Sequence, residues 1–303
     1  MTARAFRSFA KINLGLEVLG KRPDGYHELR TLFASVSLHD ILEFSPRRSG
    51  IELECDDPSL PADHRNLAYR AAVALQRLSG ARKGVRIHLR KRIPIGGGLG
   101  GGSSNAATVL RALNRIWRLK MTETDLVGVA KELGADVPYF LCGGPALGLG
   151  RGDDITPVDL EPDKRVLLVK GGAPVSTAAV FGNLAAGPKP AATSSPIDRL
   201  LLLEHPAKIG TALAKLRNDL STPAERVSPE LARAARAVRR AGKASKATLA
   251  AMSGSGSTFF LLFDRVVARD IAKRDLERAG FSSKAAALLS RRDYLDRFEI
   301  ARS

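Results

Sequence analysis

Two cysteines in 303 residues, Cys55 and Cys142, are too few for a disulfide framework, and their separation matches no metal-ligand spacing. Both are expected as small buried hydrophobes in a reducing compartment. No apolar run reaches the roughly 20 residues that a bilayer-spanning helix needs. The opening segment, MTARAFRSFAKINLGLEVLG, interleaves charged and apolar residues where a secretory signal needs an unbroken apolar stretch. A cytoplasmic protein with no membrane partner is the expectation. No internal repeat is visible.

Positive charge is abundant. Lys and Arg total 48 against 31 Asp and Glu, a formal net charge of +17, which invites a nucleic-acid reading. The densest basic run, Arg233, Arg236, Arg239, Arg240, Lys243 and Lys246, falls mostly at three- and four-residue spacing among alanines. That is the exposed stripe of an amphipathic helix. No aromatics interleave with it to stack bases, so no nucleic-acid partner is expected. A length of 303 residues suffices for two domains, and 44% hydrophobic with 26% charged residues is ordinary for a globular protein.

The first half alternates in strand fashion at 4–9, 12–19, 51–55 and 85–92, with a further apolar stretch at 31–44. Helical spacing runs from Asn66 to a stop at Gly80, and from 122 to Gly134. Turn-rich EPDK, 161–164, is the expected boundary between domains of residues 1–160 and 161–303. Beyond it come VLLVK as a strand (166–170), helices at 175–184, 197–203, 229–243 and 266–279, and strands at 247–252, 258–263 and 285–290. The stretch AAGPKPAATSSP, 185–196, is expected as a surface loop.

Directly after the 85–92 strand, IPIGGGLGGGSSNAA places six glycines in the seven positions 96–102. An amphipathic helix follows, beginning near Ser103 or Ser104, with Val109, Leu110, Leu113 and Trp117 on one face. Glycine lets successive backbone N–H groups converge on an anion without side-chain obstruction, and the helix N-terminus adds its positive dipole end. The strand and helix that bracket the run distinguish it from a linker. It is not a Walker A motif, since no Gly-Lys-Ser/Thr ends it. Nor is it the dinucleotide fingerprint: Pro94 and the doubled triplets break that spacing, and the acidic residue expected about 20 positions on is absent.

Pro94 to Ser104 is similar to the phosphate loop of the GHMP kinases, and AAMSGSGSTFFLLF at 250–263 to their third motif. Within that superfamily, FAKINLGLEVLGKRPDGYHELRTLF at 9–33 resembles the family of 4-diphosphocytidyl-2-C-methyl-D-erythritol kinases. RNLAYRAA (65–72), GADVPYFL (134–141), VSTAAVF (175–181) and RNDL (217–220) extend that likeness, in order, along nearly the whole chain. The resemblance implies an α+β protein with an N-terminal ribosomal-protein-S5-like domain and a C-terminal ferredoxin-like domain, the site lying between them. It also implies phosphorylation of the 2-hydroxyl of 4-diphosphocytidyl-2-C-methyl-D-erythritol by ATP with Mg²⁺, giving the 2-phosphate and ADP in the non-mevalonate isoprenoid pathway.

Phosphoryl transfer to an alcohol calls for cationic and N–H groups around the moving charge and a carboxylate near the hydroxyl. Asp136, between Gly134 and Pro138, reads either as a turn or capping aspartate or as that carboxylate. Lys11, within a strand, needs a buried partner. The resemblance makes Lys11 and Asp136 the catalytic pair, with Asn13 beside them. After the turn Pro23-Asp24-Gly25, Tyr26 offers a stacking face and His27 a donor–acceptor edge, which suit a cytosine base. The resemblance adds Phe181 as the opposite stacking wall, Thr177 as a contact to the methylerythritol, and Asn66 on the adenine side of ATP. ATP-binding residues are then Asn66, Pro94, Gly96, Gly97, Gly98, Leu99, Gly100, Gly101, Gly102, Ser103 and Ser104. No Mg²⁺ ligand stands out; Ser104 is a candidate because phosphate-loop hydroxyls often serve so. The chain departs from the family pattern at Lys170-Gly171-Gly172-Ala173-Pro174, at Arg151 and Asp153, and at Ser221. Monomer and homodimer both remain open. A mevalonate or homoserine kinase would share the glycine motifs but has no use for Tyr26 and His27, and a basic RNA-binding protein would show no ATP turnover.

Overall fold

The computed structural model describes residues 3–160, 163–184, 195–202 and 206–301. Glu161 and Pro162 of the expected boundary, and residues 185–194 of the Pro/Ala/Ser-rich stretch, lie outside the described residues.

The first half runs β1 (Arg4–Lys21), β2 (His27–Arg47), β3 (Ile51–Cys55), α1 (Leu67–Ser79), β4 (Gly84–Arg90), α2 (Gly101–Trp117), α3 (Glu123–Leu133), α4 (Val137–Cys142), β5 (Ala146–Gly150) and β6 (Asp154–Pro157). The two segments expected at 4–9 and 12–19 are one 18-residue strand. Register shifts against β2 at Phe9/Ala10, Asn13/Gly15 and Val18/Gly20 break its alternation, which is why the sequence pattern reads as two pieces. β2 is a spine of 21 residues. One edge pairs β1 along its length, and the other pairs β5 near Leu29–Phe33, β10 (Ser283–Leu289) at Ser35 and Val36, and β4 at Ile41–Arg47. Helices α1 and α2 cover this sheet, and α3 packs against them. Phe6, Phe44, Leu75, Leu110, Leu113 and Trp117 are buried in the interface, and each such side chain contributes about 1.5–3 kcal/mol.

Helix ends follow local chemistry. Asn66 caps α1, accepting from the Ala68 N–H at 3.0 Å, and Gly80 closes the helix in the left-handed region. Thr122 and Asp125 form a reciprocal capping box at the start of α3.

The second half runs β7 (Arg165–Lys170), α5 (Thr177–Gly182), α6 (Pro196–Leu201), α7 (Pro206–Leu213), α8 (Ser221–Val227), α9 (Pro229–Ala244), β8 (Leu249–Met252), β9 (Thr258–Phe263), α10 (Val266–Arg278), β10, α11 (Arg291–Asp296) and β11 (Glu299–Ile300). The order β7-α9-β8-β9-α10-β10, with strands arranged β10-β7-β9-β8, is the split βαβ pattern of a ferredoxin-like unit. Val238, Leu261, Phe263 and Leu276 fill the space between that sheet and its helices. The basic face of α9 is exposed at Arg233, Arg236, Arg239, Arg240 and Lys243, and Arg239 pairs with Glu225.

The halves are joined through the sheet. β10 reaches β2, β11 returns to pair Ala5 and Phe6 of β1, and Ile12, Leu32, Phe260 and Leu288 share one core. Cys55 and Cys142 are half-buried, short of the full burial expected, and burial pushes both thiols upward in pKa. No helix among the described residues is long and apolar enough to cross a membrane.

Candidate active site

α2 begins at Gly101, two residues before Ser103, with Gly100 at its N-cap and no side-chain cap. Glycine's weak helix propensity obscures this start; a Cβ at Gly101 would crowd Lys91 Nζ at 2.9 Å and Ile93 Cγ2 at 3.0 Å, which accounts for the glycine there. Gly98 and Gly100 have φ of +74° and +68°, and a Cβ there would meet the Ser253 carbonyl at 2.3 Å and the Phe140 ring at 2.7 Å, respectively. Four consecutive carbonyls of the loop are engaged. Gly97 O accepts from Thr258 N (3.1 Å), Gly98 O from Ser253 Oγ (2.9 Å), Leu99 O from Lys11 N (3.0 Å) and Gly100 O from Ser104 N (2.8 Å). What the loop and first helical turn leave to a ligand is N–H groups, those of Gly101, Gly102 and Ser103 having no intrahelical acceptor.

Two cavities meet at this loop, sharing Gly96, Gly98 and Ser103. One, of about 380 Å³, is lined by Leu60, Pro61, Asn66, Lys91 and the run Pro94–Ser103. Asn66 faces it with a side chain already engaged, Oδ1 in the α1 cap and Nδ2 donating to Pro61 O at 2.8 Å. Ser104 is turned away. Its fully buried hydroxyl donates to Phe9 O (2.6 Å) and accepts from Ser8 Oγ (2.7 Å), so it is not available to a metal, contrary to expectation. Ser103 lines both cavities instead.

The second cavity, about 940 Å³, contains Lys11, Asn13, Asp136, Tyr26, His27, Thr177 and Phe181 together. Lys11 is 4% exposed, and its Nζ lies 2.8 Å from Asn13 Oδ1, 3.4 Å from Asp136 Oδ2 and 5.2 Å from the Phe33 ring centroid. A buried ammonium requires such company. Asn13 is oriented in turn: its Nδ2 donates to Thr31 Oγ1 (2.8 Å), which donates to Gly15 O (2.8 Å), leaving Oδ1 for the lysine. Asp136 occupies the N-cap position of α4 yet makes no capping hydrogen bond. The plain helix-cap reading therefore fails. Its carboxylate, 37% exposed, faces the cavity with one oxygen near the ammonium, and it is the sole acidic side chain among the described residues lining that space.

At the far end His27 and Phe181 are stacked directly, centroids 4.7 Å apart and planes inclined by 27°. Phe181 thus covers the His27 face and is not the opposite wall of an open slot. Burial and the nearby Lys21 push the His27 pKa below 6.5, favouring the neutral imidazole that can both donate and accept. Tyr26 is 57% exposed, with the Arg151 guanidinium over its ring. Thr177 Oγ1 is hydrogen-bonded to Ser255 Oγ at 2.9 Å, and Gly171 N donates to Ser257 O at 2.9 Å. The departing segment 170–174 is thereby docked onto the 253–257 loop.

Three further residues support the site: Asp40, which the sequence did not single out, and Asn218 and Ser253, which lie in motifs noted above but had no role assigned. Asp40, fully buried, accepts from Arg92 N (2.6 Å) and Ile93 N (2.7 Å) on Oδ1, and from Lys91 Nζ (2.6 Å) and Asn105 Nδ2 (2.9 Å) on Oδ2. It ties the strand end before the glycine run to the helix after it. An acid within the apolar stretch SVSLHDILEF was the available signal. Asn218 Nδ2 donates to Met252 O (2.8 Å) and Gly254 O (2.7 Å), which gives RNDL a structural role. Ser253 joins Gly98 to the second half. No group of three or more His, Cys, Asp or Glu among the described residues could hold a metal ion.

Residues 66–144 match the GHMP kinases N terminal domain, and 200–281 the GHMP kinases C terminal domain. The 4-diphosphocytidyl-2-C-methyl-D-erythritol kinase of Syntrophus aciditrophicus is 41% identical over 84% of this chain and 88% of its own length. The enzyme of that name from Chlorobium luteolum is 41% identical over 92% and 94%. Among solved structures, a 4-(cytidine 5'-diphospho)-2C-methyl-D-erythritol kinase superposes with a TM-score of 0.74 at 39% identity, covering 94% of this chain and 98% of that one. A homoserine kinase from Cytophaga hutchinsonii reaches the same TM-score at 19% identity over 95% of each chain, a likeness of fold alone. With these relatives matched over most of its length, the chain belongs to the 4-diphosphocytidyl-2-C-methyl-D-erythritol kinase family of the GHMP kinases.

Proposed function

We propose that this chain transfers the γ-phosphoryl group of ATP to the 2-hydroxyl of 4-diphosphocytidyl-2-C-methyl-D-erythritol, giving the 2-phosphate and ADP in non-mevalonate isoprenoid synthesis. The observation that carries the reading is the Lys11–Asp136 pair at 3.4 Å, in one cavity with Tyr26, His27 and the glycine loop. ATP enters on the Asn66 side, and its phosphates rest on the N–H groups of Gly96–Gly102 and Ser103. The site lies between lobes of residues 1–160 and 161–303.

The substrate hydroxyl donates to Asp136, its oxygen bonds to the γ-phosphorus, and the bond from that phosphorus to the β-phosphate oxygen breaks. Asp136 orients the alcohol and takes its proton, Lys11 balances the charge, and Asn13 holds Lys11. When bound, Mg²⁺ neutralises phosphate charge. The donor set fits an ion held mainly by nucleotide phosphates and water, since Asp136 is the single acidic residue at hand. Tyr26 stacks on the cytosine and His27 reads its edge, with Phe181 swinging off His27 to admit the base. Thr177 contacts the methylerythritol.

Steady-state assays with the cytidyl alcohol, mevalonate and homoserine test this. Preference for the cytidyl alcohol by at least about a hundredfold in kcat/KM is expected, because buried polar groups left unpaired penalise the wrong substrate. Preference for either other alcohol would overturn the assignment.

A further inference from the structure

Arg151 lies between two glycines in the turn from β5 to β6, and its side chain lines the large cavity at the cytidyl end. Asp153 aims it. Arg151 Nε and Nη2 donate to Asp153 Oδ2 at 3.2 and 2.6 Å, and the Arg151 backbone N–H donates to Oδ1 at 3.2 Å. The Asp153 side chain is 13% exposed, so little water competes for its carboxylate. The guanidinium carbon then stands 5.2 Å from the centroid of the Tyr26 ring, a cation–π contact. Tyr26 protrudes from a tight turn closed by Arg22 N donating to Tyr26 O at 2.8 Å, and an exposed ring there has few neighbours to limit its rotamers. The planar fork of arginine serves both partners at once, binding the carboxylate along its edge while facing the ring.

We propose that Arg151 is a specificity-determining residue for the cytidyl substrate. By covering one face of Tyr26 it fixes the ring and presents the other face to the base. This rests on the function proposed above. An ordered platform lowers the entropy cost of stacking, so the effect falls on substrate affinity and not on the chemical step. Arg151 acts through Tyr26, as a positioning residue.

The test compares the wild-type protein with Arg151→Ala, Arg151→Lys, Tyr26→Ala and the Tyr26→Ala/Arg151→Ala pair. It reads KM for the cytidyl substrate and ATP, kcat, and competitive inhibition by cytidine and by CDP. Arg151→Ala should raise KM for the cytidyl substrate about two- to fivefold, the range of an exposed cation–π contact, with kcat and the ATP KM held. Cytidine and CDP should weaken by the same factor. In the Tyr26→Ala background the Arg151 change should add nothing, which a structural defect elsewhere would not reproduce. If Arg151→Ala fails to fold, Arg151→Lys, which keeps the charge but loses the fork, is read in its place and should show part of the same rise. Wild-type turnover with unchanged cytidyl KM in the variants overturns this inference alone. So does a loss confined to CDP, which would make Arg151 a phosphate contact. Absence of wild-type turnover overturns the proposed function and this inference with it.

Discussion

Replacing Asp40 with asparagine changes one oxygen into an amide nitrogen and almost nothing in volume. The retained oxygen can still accept from Arg92 N and Ile93 N. The new amide cannot accept from Lys91 Nζ and Asn105 Nδ2, so donors face donors in a site where Asp40 is fully buried and the Lys91 side chain is 6% exposed. Removing one partner of a buried ion pair costs about 3–5 kcal/mol. Lys91 keeps one acceptor, Ile93 O at 2.9 Å, which places the expected loss near the lower bound, about 3 kcal/mol. For a protein of this size that is a Tm lower by about 5–10 °C. Because Asp40 binds the chain on both sides of the phosphate loop, kcat/KM for ATP should fall by about tenfold or more, measured at a temperature where the variant is fully folded. Asp40→Asn/Lys91→Met, which removes both charges but keeps the oxygen that Arg92 N and Ile93 N need, should recover part of the stability and little of the ATP affinity. Asp40→Asn matching wild type in Tm within 1 °C or so and in ATP kinetics would refute the view that this carboxylate sets the loop.

Other consequences are more direct. Asp136→Asn should lower kcat by about 10²–10⁴ while ATP affinity measured by calorimetry stays within about twofold; a kcat loss under tenfold would remove Asp136 from proton transfer. Gly98→Ala forces a left-handed alanine against the Ser253 carbonyl, and ATP KM should rise about tenfold or more from backbone strain and displacement alone. His27 has its pKa lowered from 6.5, so the folded state holds its proton less tightly than the unfolded chain. Stability and cytidyl affinity are then intact above pH 6.5 and decline as pH falls through the lowered pKa. Cytidyl KM measured from pH 8 to 5.5 should rise at the acid end, and His27→Gln should abolish that rise.

What was legible in the sequence was whatever had a local cause. Asn66, Gly80, Thr122 and Gly134 mark helix ends because capping is decided within one turn of chain, and α3 and the core-facing side of α2 follow from spacing alone. Lys11 and Asp136 were recognisable one at a time, but their 3.4 Å separation spans 125 residues of chain and depends on α4, a six-residue helix too short to show periodicity. The stacking of Phe181 on His27 was not legible, since either ring could equally have flanked an empty slot. Neither was the withdrawal of Ser104: a serine next to a phosphate loop looks like a ligand until β1 is packed beneath it and supplies Phe9 O.

The least legible property is what gives the glycine run its function. Six glycines in seven positions would be a flexible segment if left alone, because each loses more entropy on ordering than any other residue. Here the run is ordered from several sides. Asp40 and Asn105 hold its flanks, Lys11 N takes the carbonyl of Leu99, and Thr258 N and Ser253 Oγ from the second half take those of Gly97 and Gly98. Each bond turns a carbonyl away from the cavity and leaves amide hydrogens to meet an anion. Ser253 is placed in turn by the 252–254 carbonyls that Asn218 holds, and the Asn13 N–H approaches its hydroxyl at 3.4 Å. Lys11 and the glycine run therefore share one hydrogen-bonded frame crossing both halves. A shift of the second half relative to the first would move the nucleotide amides and the Asn13–Lys11 pair together, so a change at Ser253 or Asn218 should reach both ATP affinity and the alcohol's alignment.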